Sequence, residues 1–189
     1  MKKDTALTFS PYLFLAIIPL FYVSESSAQI EKLEQKFTLP SALSESSGLI
    51  FFDNQLISHN DSGNENQLFE IDTLSGEVSR VITILNADNT DWEDITQDEQ
   101  AIYIGDFGNN NGNRTDLKIY KILKADYLAS DTVSAEIIQF NYADQMDFTS
   151  RPNNTEWDAE AMISLDENTL VVFTKNWVDE RTKAYSISK

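Results

Sequence analysis

One local pattern, written three times, constrains this chain more than any other feature. It opens Glu45-Ser46-Ser47-Gly48-Leu49, Asp91-Trp92-Glu93-Asp94-Ile95 and Asp158-Ala159-Glu160-Ala161-Met162. Each opening is an acid, a spacer, Ser or Glu, a small or acidic residue, then an aliphatic residue or Met. Apolar runs follow at Ile50–Ile57, Ala101–Ile104 and Thr169–Phe173. Polar loops close them: Asn60-Asp61-Ser62-Gly63-Asn64, Gly105-Asp106-Phe107-Gly108-Asn109 and Thr174-Lys175-Asn176. Each unit continues into alternating segments, Gln67–Ile71, Asp116–Ile122 and Lys183–Ile187, and the turn Asp72–Gly76 leads to a partner strand over Val78–Leu85. Apolar and polar residues alternate there as in half-buried strands, and the mostly apolar inner runs suit strands buried on both faces. The expected fold is all-β, with a single candidate helical turn near Ala125–Leu128.

Repeats of roughly 40–50 residues with about four strands each are the signature of propeller blades. About three blades are expected, near 41–90, 91–140 and 155–189, with a polar insertion around Tyr142–Asn154 lengthening the last interval. Rings close with about four to eight blades. The chain therefore reads as a partial propeller, the N-terminal part of a longer protein. The competing arrangements are an assembly of several arcs and a compact β-sandwich.

The first residues read as targeting rather than fold. Lys2 and Lys3 precede an apolar run from Leu13 to Val23, and Ser26-Ser27-Ala28 presents small residues for cleavage after Ala28. That is the tripartite export signal. The alternative, a membrane anchor, needs roughly 20 apolar residues, and this run is shorter and interrupted by Pro19. Export to the periplasm, cell surface or medium follows, with no membrane span after cleavage. The chain has no Cys, so neither disulfides nor thiolate chemistry contribute. Its net charge of -17 disfavours nucleic acid and anionic membranes and favours cationic partners and divalent metals.

At these residues the chain resembles a known group. Asn60–Asn64, Asp91–Ile95, Ile102–Asn110 and Phe173–Asn176 are similar to segments of secreted bacterial β-propeller proteins. That group is frequent in Bacteroidetes and distantly similar to NHL, SdiA-regulated and phytase-like propellers. The resemblance spans most of residues 37–189 and implies a propeller fold. Phytase-like relatives hold calcium and phosphate with acidic residues. Their Lys- and Arg-bearing phosphate site has no residue-by-residue match here.

The tetrapeptide Asp-x-Gly-Asn recurs at Asp61 and Asp106. Carboxylates repeated around a ring aim at a common centre, and clustered oxygen donors suit Ca2+. The same tetrapeptide also reads as a turn whose side chains satisfy backbone groups. A second carboxylate set comprises Glu45, Asp91, Glu93, Asp94, Asp158 and Glu160. Paired acids serve general acid–base chemistry when burial splits their pKa values, and equally serve to tie one blade to the next. Lys175 replaces the acid of the third loop, where it neutralises carboxylates or contacts an anion. His59, the sole histidine, stands beside Asn60-Asp61 as a candidate ligand or base. Trp92 and Trp157 read as packing residues between blades, or as stacking platforms if exposed. The functional expectation is a domain binding a small molecule, glycan or protein through an acidic, calcium-holding loop face. The alternative is a metal-dependent hydrolase, phosphoesterase or lactonase in type.

Overall fold

Asp53 and Asn54 break the first apolar run into a hairpin. Both adopt positive φ, 49° and 63°, the geometry a two-residue hairpin loop needs to match strand twist. The run Ile50–Ile57 is thus two strands: β1 (Ser46–Phe52) and β2 (Gln55–Asn60) pair antiparallel across this turn. The computed structural model describes residues 32–189, so the expected signal segment 1–28 lies outside the described residues. Gln35–Lys189 forms the unit considered below.

The chain is nearly all β and forms three sheets. In the first, β3 (Gln67–Asp72) and β4 (Val78–Ile84) continue the antiparallel meander. Asp72 shapes the β3–β4 turn by accepting the Leu74 and Ser75 amides, and Gly76 takes φ +76° against the Phe37 ring. The second sheet holds β5 (Trp92–Gln97), β6 (Ala101–Asp106) and β7 (Lys118–Leu123). A short helix follows, α1 (Lys124–Ala129), at the expected turn. Next, β8 (Thr132–Val133) crosses to pair in parallel with β4 of the first sheet. Then β9 (Glu136–Gln139) returns to β7. The third sheet comprises β10 (Asp158–Ser164), β11 (Thr169–Lys175) and β12 (Ala184–Ser188). Among the described residues no helix is long and apolar enough to cross a membrane.

The three sheets meet through their first strands, with β5 against both β1 and β10. Side-chain parity divides the interior accordingly. Along β6, Ile102 and Ile104 join one core with Ile57, Leu68 and Ile82 of the first sheet; Ala101 and Tyr103 join another with Met162, Leu170 and Val172 of the third. Successive residues of a strand face opposite sides, so the second sheet is buried on both faces and every β6 residue is buried. Each fully buried aliphatic side chain contributes about 1.5–3 kcal/mol.

The repeated opening has a structural counterpart. Each first strand carries a register shift, between Ser46 and Gly48, between Trp92 and Asp94, and between Ala159 and Ala161. The extra residue is Ser47, Glu93 or Glu160, the third position of each repeated opening. A bulge of this kind bends the strand and redirects the extra side chain.

Candidate cation-binding site

All three bulges lie at the start of a first strand, opposite the C-terminal end of the second strand with which it pairs. This end of the molecule carries most of the expected site residues. Asp61, Asp91 and Glu93 converge: each offers a carboxylate oxygen, and these oxygens lie within 4.8 Å of one another. Asp61 comes from the loop after β2, Asp91 from the residue before β5, and Glu93 from the β5 bulge.

Gly108 makes room for two of them. A Cβ at this position would collide with Asp91 Oδ2 and Glu93 Oε1. Its amide donates to the Asp91 carbonyl at 3.1 Å, which holds the loop after β6 against the site. The crowding has an electrostatic signature. Burial, reinforced by the charges of Glu160, Asp91, Asp61 and Asp158, pushes the Glu93 carboxyl up to about 8. Burial also pushes Asp91 up to about 6, opposed by Arg114 and reinforced by Asp61, Asp158 and Asp106. No Lys or Arg forms an ion pair with Asp61, Asp91 or Glu93 among the described residues, whereas neighbouring acids are paired.

The other expected site residues have partners of their own. The Asp106 side chain is fully buried; its Oδ1 accepts from Arg114 Nη2 at 2.9 Å, and Lys118 Nζ stands 3.7 Å from Oδ2. Asp94 accepts the Ile95 amide at 2.8 Å and, through Oδ2, the Met162 amide at 2.6 Å, which ties β5 to β10. Asp158 accepts the Asn109 amide at 2.6 Å and Trp177 Nε1 at 2.7 Å, a second tie between sheets. Glu160 pairs with Lys175 at 3.1 Å, and the Lys175 ammonium lies 4.2 Å from the Trp177 ring centroid. His59 is fully buried. Its Nδ1 lies 3.0 Å from the Asn60 carbonyl and its ring meets Trp92 edge-on. Nε2 has no hydrogen-bond partner, and burial lowers the imidazole pKa, which keeps the ring neutral.

Register explains why the two Asp-x-Gly-Asn copies behave differently. Asn60 pairs with Ser46, and Asp106 pairs with Trp92, the residue just before the bulge in each case. Asp106 is therefore the counterpart of Asn60, and Asp61 that of Phe107. A slip of one residue reverses the direction of a side chain. Asp61 reaches the acidic cluster, and Asp106 turns to Arg114. The tetrapeptides match in sequence but are one position out of step in the sheets. A loop cation among the carboxylates was an expectation for Arg114, which pairs with Asp106; the room that Gly108 leaves for Asp91 and Glu93 had no separate signal in the sequence.

Three close carboxylates without a cation suit an oxygen-seeking divalent ion. They also tie stability to pH. The folded-state pKa of Glu93 lies above its ordinary 4.5, so between about 4.5 and 8 the unfolded chain binds fewer protons at this position. Stability then falls as pH rises through that window. Glu93→Gln is expected to raise the melting temperature at pH 8.5 and leave it nearly unchanged at pH 4.5, as followed by circular dichroism in EDTA. Equal effects at both pH values would contradict the assignment.

No protein-family model matches the chain, and no curated protein matches it. Among solved structures the chain is similar to the crystal structure of the computationally designed Ika4 protein, at 12% identity and a TM-score of 0.37, over 82% of this chain and 99% of that one. At that degree of likeness, fold and site rest on this chain's own geometry.

Proposed function

We propose that the chain is an exported, propeller-type binding domain that holds Ca2+ at its acidic loop end and uses the ion to engage a small molecule, glycan or protein. The observation that carries this reading is the convergence of Asp61, Asp91 and Glu93, with oxygens within 4.8 Å and no basic partner. A propeller-type arrangement is supported by the first strands of the three sheets lying together and by bulges recurring at Ser47, Glu93 and Glu160. Export is supported by the signal-like segment ending at Ala28. The ion offsets mutual repulsion of the three acids, and ligand oxygens complete the six to eight that Ca2+ takes. A site with three partly exposed carboxylates belongs with extracellular modules, with Kd of roughly 10⁻⁴–10⁻³ M.

Calorimetric titration with CaCl2 at pH 8 is expected to show one site. Affinity should fall as pH is lowered through 8 and 6, because protons compete for Glu93 and Asp91. At Ca2+ one hundred times Kd the stabilisation is about 2.7 kcal/mol, and EDTA removes it. Asp61→Asn, Asp91→Asn and Glu93→Gln should each abolish the shift. A melting temperature indifferent to Ca2+ and EDTA defeats the proposal.

The hydrolase reading keeps one specific support. An acid with a pKa of about 8 is poised for proton transfer near neutral pH. Turnover of phosphoester or lactone substrates that needs Ca2+ and is lost in Glu93→Gln would favour it over simple binding.

A further inference from the structure

The three acids of the candidate site belong to two sheets, and one side chain joins the segments that carry them. Asn89 lies in the connection between β4 and β5, two residues before Asp91 and four before Glu93. Its Nδ2 donates to the Asp61 carbonyl at 2.8 Å and to the Asn60 carbonyl at 3.1 Å, while its Oδ1 accepts the Trp92 amide at 3.2 Å. Its backbone carbonyl accepts the Gly63 amide at 3.3 Å. Among the described residues, every hydrogen bond from the loop Asn60–Asn64 to the chain beyond β4 is made with Asn89.

A carboxamide suits this place. It carries two N–H donors and an acceptor on one short stem, so it holds two carbonyls of one sheet and an amide of the next without adding charge. Its bonds work against repulsion, because Asp61 is among the charges that bear on both Asp91 and Glu93. The seam itself has other ties. Ser47 Oγ donates to the Glu93 carbonyl at 2.8 Å, so β1 stays against β5 whether or not the loop is held. The next seam lacks both partners. By register Phe107 is the counterpart of Asp61, and Ala159 that of Trp92. Glu156, three residues before Ala159, is then the counterpart of Asn89. Phe107 is fully buried in the core, and Glu156 pairs with Lys183 at 2.7 Å. Where the amide is absent, no acid is brought across.

The geometry points to Asn89 as the positioning residue of the cation site: it brackets the Asp61 loop to the start of β5, and so adds a third carboxylate to the two that the second sheet supplies. Its effect on affinity rests on the calcium-binding reading above; the bracket itself does not.

Asn89→Ser separates the two. A hydroxyl keeps an acceptor for the Trp92 amide but ends one bond short of the carboxamide nitrogen that reaches Asp61. In EDTA, amide hydrogen exchange followed by NMR on the whole protein should show the Gly63 amide exchanging roughly five- to tenfold faster in this variant, the change that losing one or two neutral hydrogen bonds brings. Amides within β2 and β5 should be unmoved. With Tb3+ as an oxygen-seeking probe, the variant should bind about 10- to 100-fold more weakly, the usual cost of removing a group that orients a metal ligand. Luminescence lifetimes in H2O and D2O should count about one more bound water, because water takes the place of the Asp61 carboxylate. A residue that served stability alone would leave that count unchanged. In an Asp61→Ala background, Asn89→Ser should alter neither affinity nor water count. Unchanged Gly63 exchange, a wild-type water count in a variant that binds Tb3+, or a further rise in the double variant overturns the inference. Wild-type protein that ignores Tb3+ removes the calcium reading alone, and the Gly63 exchange then decides for or against the bracket.

Discussion

Replacing Trp92 by alanine is expected to cost about 3–5 kcal/mol, the range for deleting a buried large aromatic side chain. Trp92 is fully buried, at the residue before the β5 bulge, and belongs to the core that joins the first and second sheets. Its indole Nε1 donates to the Asp88 carbonyl at 3.0 Å, and its ring packs 5.6 Å from His59 and 5.9 Å from Tyr120, centroid to centroid. Tyr120 Oη meets the same Asp88 carbonyl at 3.2 Å and accepts the Asp88 amide at 3.1 Å. Removing the indole opens a cavity and frees one shared acceptor at once. In a domain of this size, 1 kcal/mol corresponds to roughly 2–4 °C, so the melting temperature should drop by roughly 6–20 °C. Trp92→Phe, which retains most of the volume, should cost markedly less. Thermal and urea unfolding check both variants, and a loss under about 1 kcal/mol for Trp92→Ala would mean that the two sheets do not share this core.

Arg114→Leu should be comparably severe for a different reason. The Arg114 guanidinium bonds to the buried Asp106 carboxylate at 2.9 Å and to the Gly108 carbonyl at 2.9 Å, and it also pairs with exposed Asp116. Breaking a buried pair from one side costs about 3–5 kcal/mol, because the remaining charge stays buried without its partner. Lys118, at 3.7 Å, is too distant to replace a direct hydrogen bond. The pH dependence identifies the cause. Burial already raises the Asp106 pKa against the opposing effect of Arg114. Without Arg114 it rises further, and the folded variant takes up a proton that the unfolded chain binds only near its ordinary value. The deficit relative to wild type should therefore be largest near pH 8 and shrink toward pH 5. Arg114→Leu combined with Asp106→Asn should recover part of the loss. A deficit independent of pH would show that lost packing, rather than an orphaned carboxylate, is responsible.

The all-β class was legible because period-2 alternation and turn residues agree along the chain. The turn Asp72–Gly76 and the short helix near Tyr127 formed where expected. The repeated acidic openings proved to be a structural unit, each ending its third position in a bulge. Direction was the information that the sequence withheld. Whether an acid faces its neighbours or the solvent depends on strand parity, and one residue of register sends Asp61 to the cluster and Asp106 to Arg114. Asp94 and Asp158 look like site acids in sequence, yet their partners are amides of an adjoining sheet far along the chain. The apolar run Ile50–Ile57 concealed a hairpin because Asp53-Asn54, a turn pair with positive φ, is flanked closely by aromatic and aliphatic residues. The two-residue β8 was invisible because its pairing with β4 depends on a crossover rather than on local composition.

The convergence of acids from two sheets on a single ion is tested most directly by the anomalous scattering map of crystals grown in CaCl2 at pH 8. One peak is expected between Asp61, Asp91 and Glu93, with carboxylate oxygens at about 2.3–2.6 Å and Gly108 closing over the two acids of the second sheet. A peak elsewhere, or saturating Ca2+ with no density among these three side chains, would contradict it.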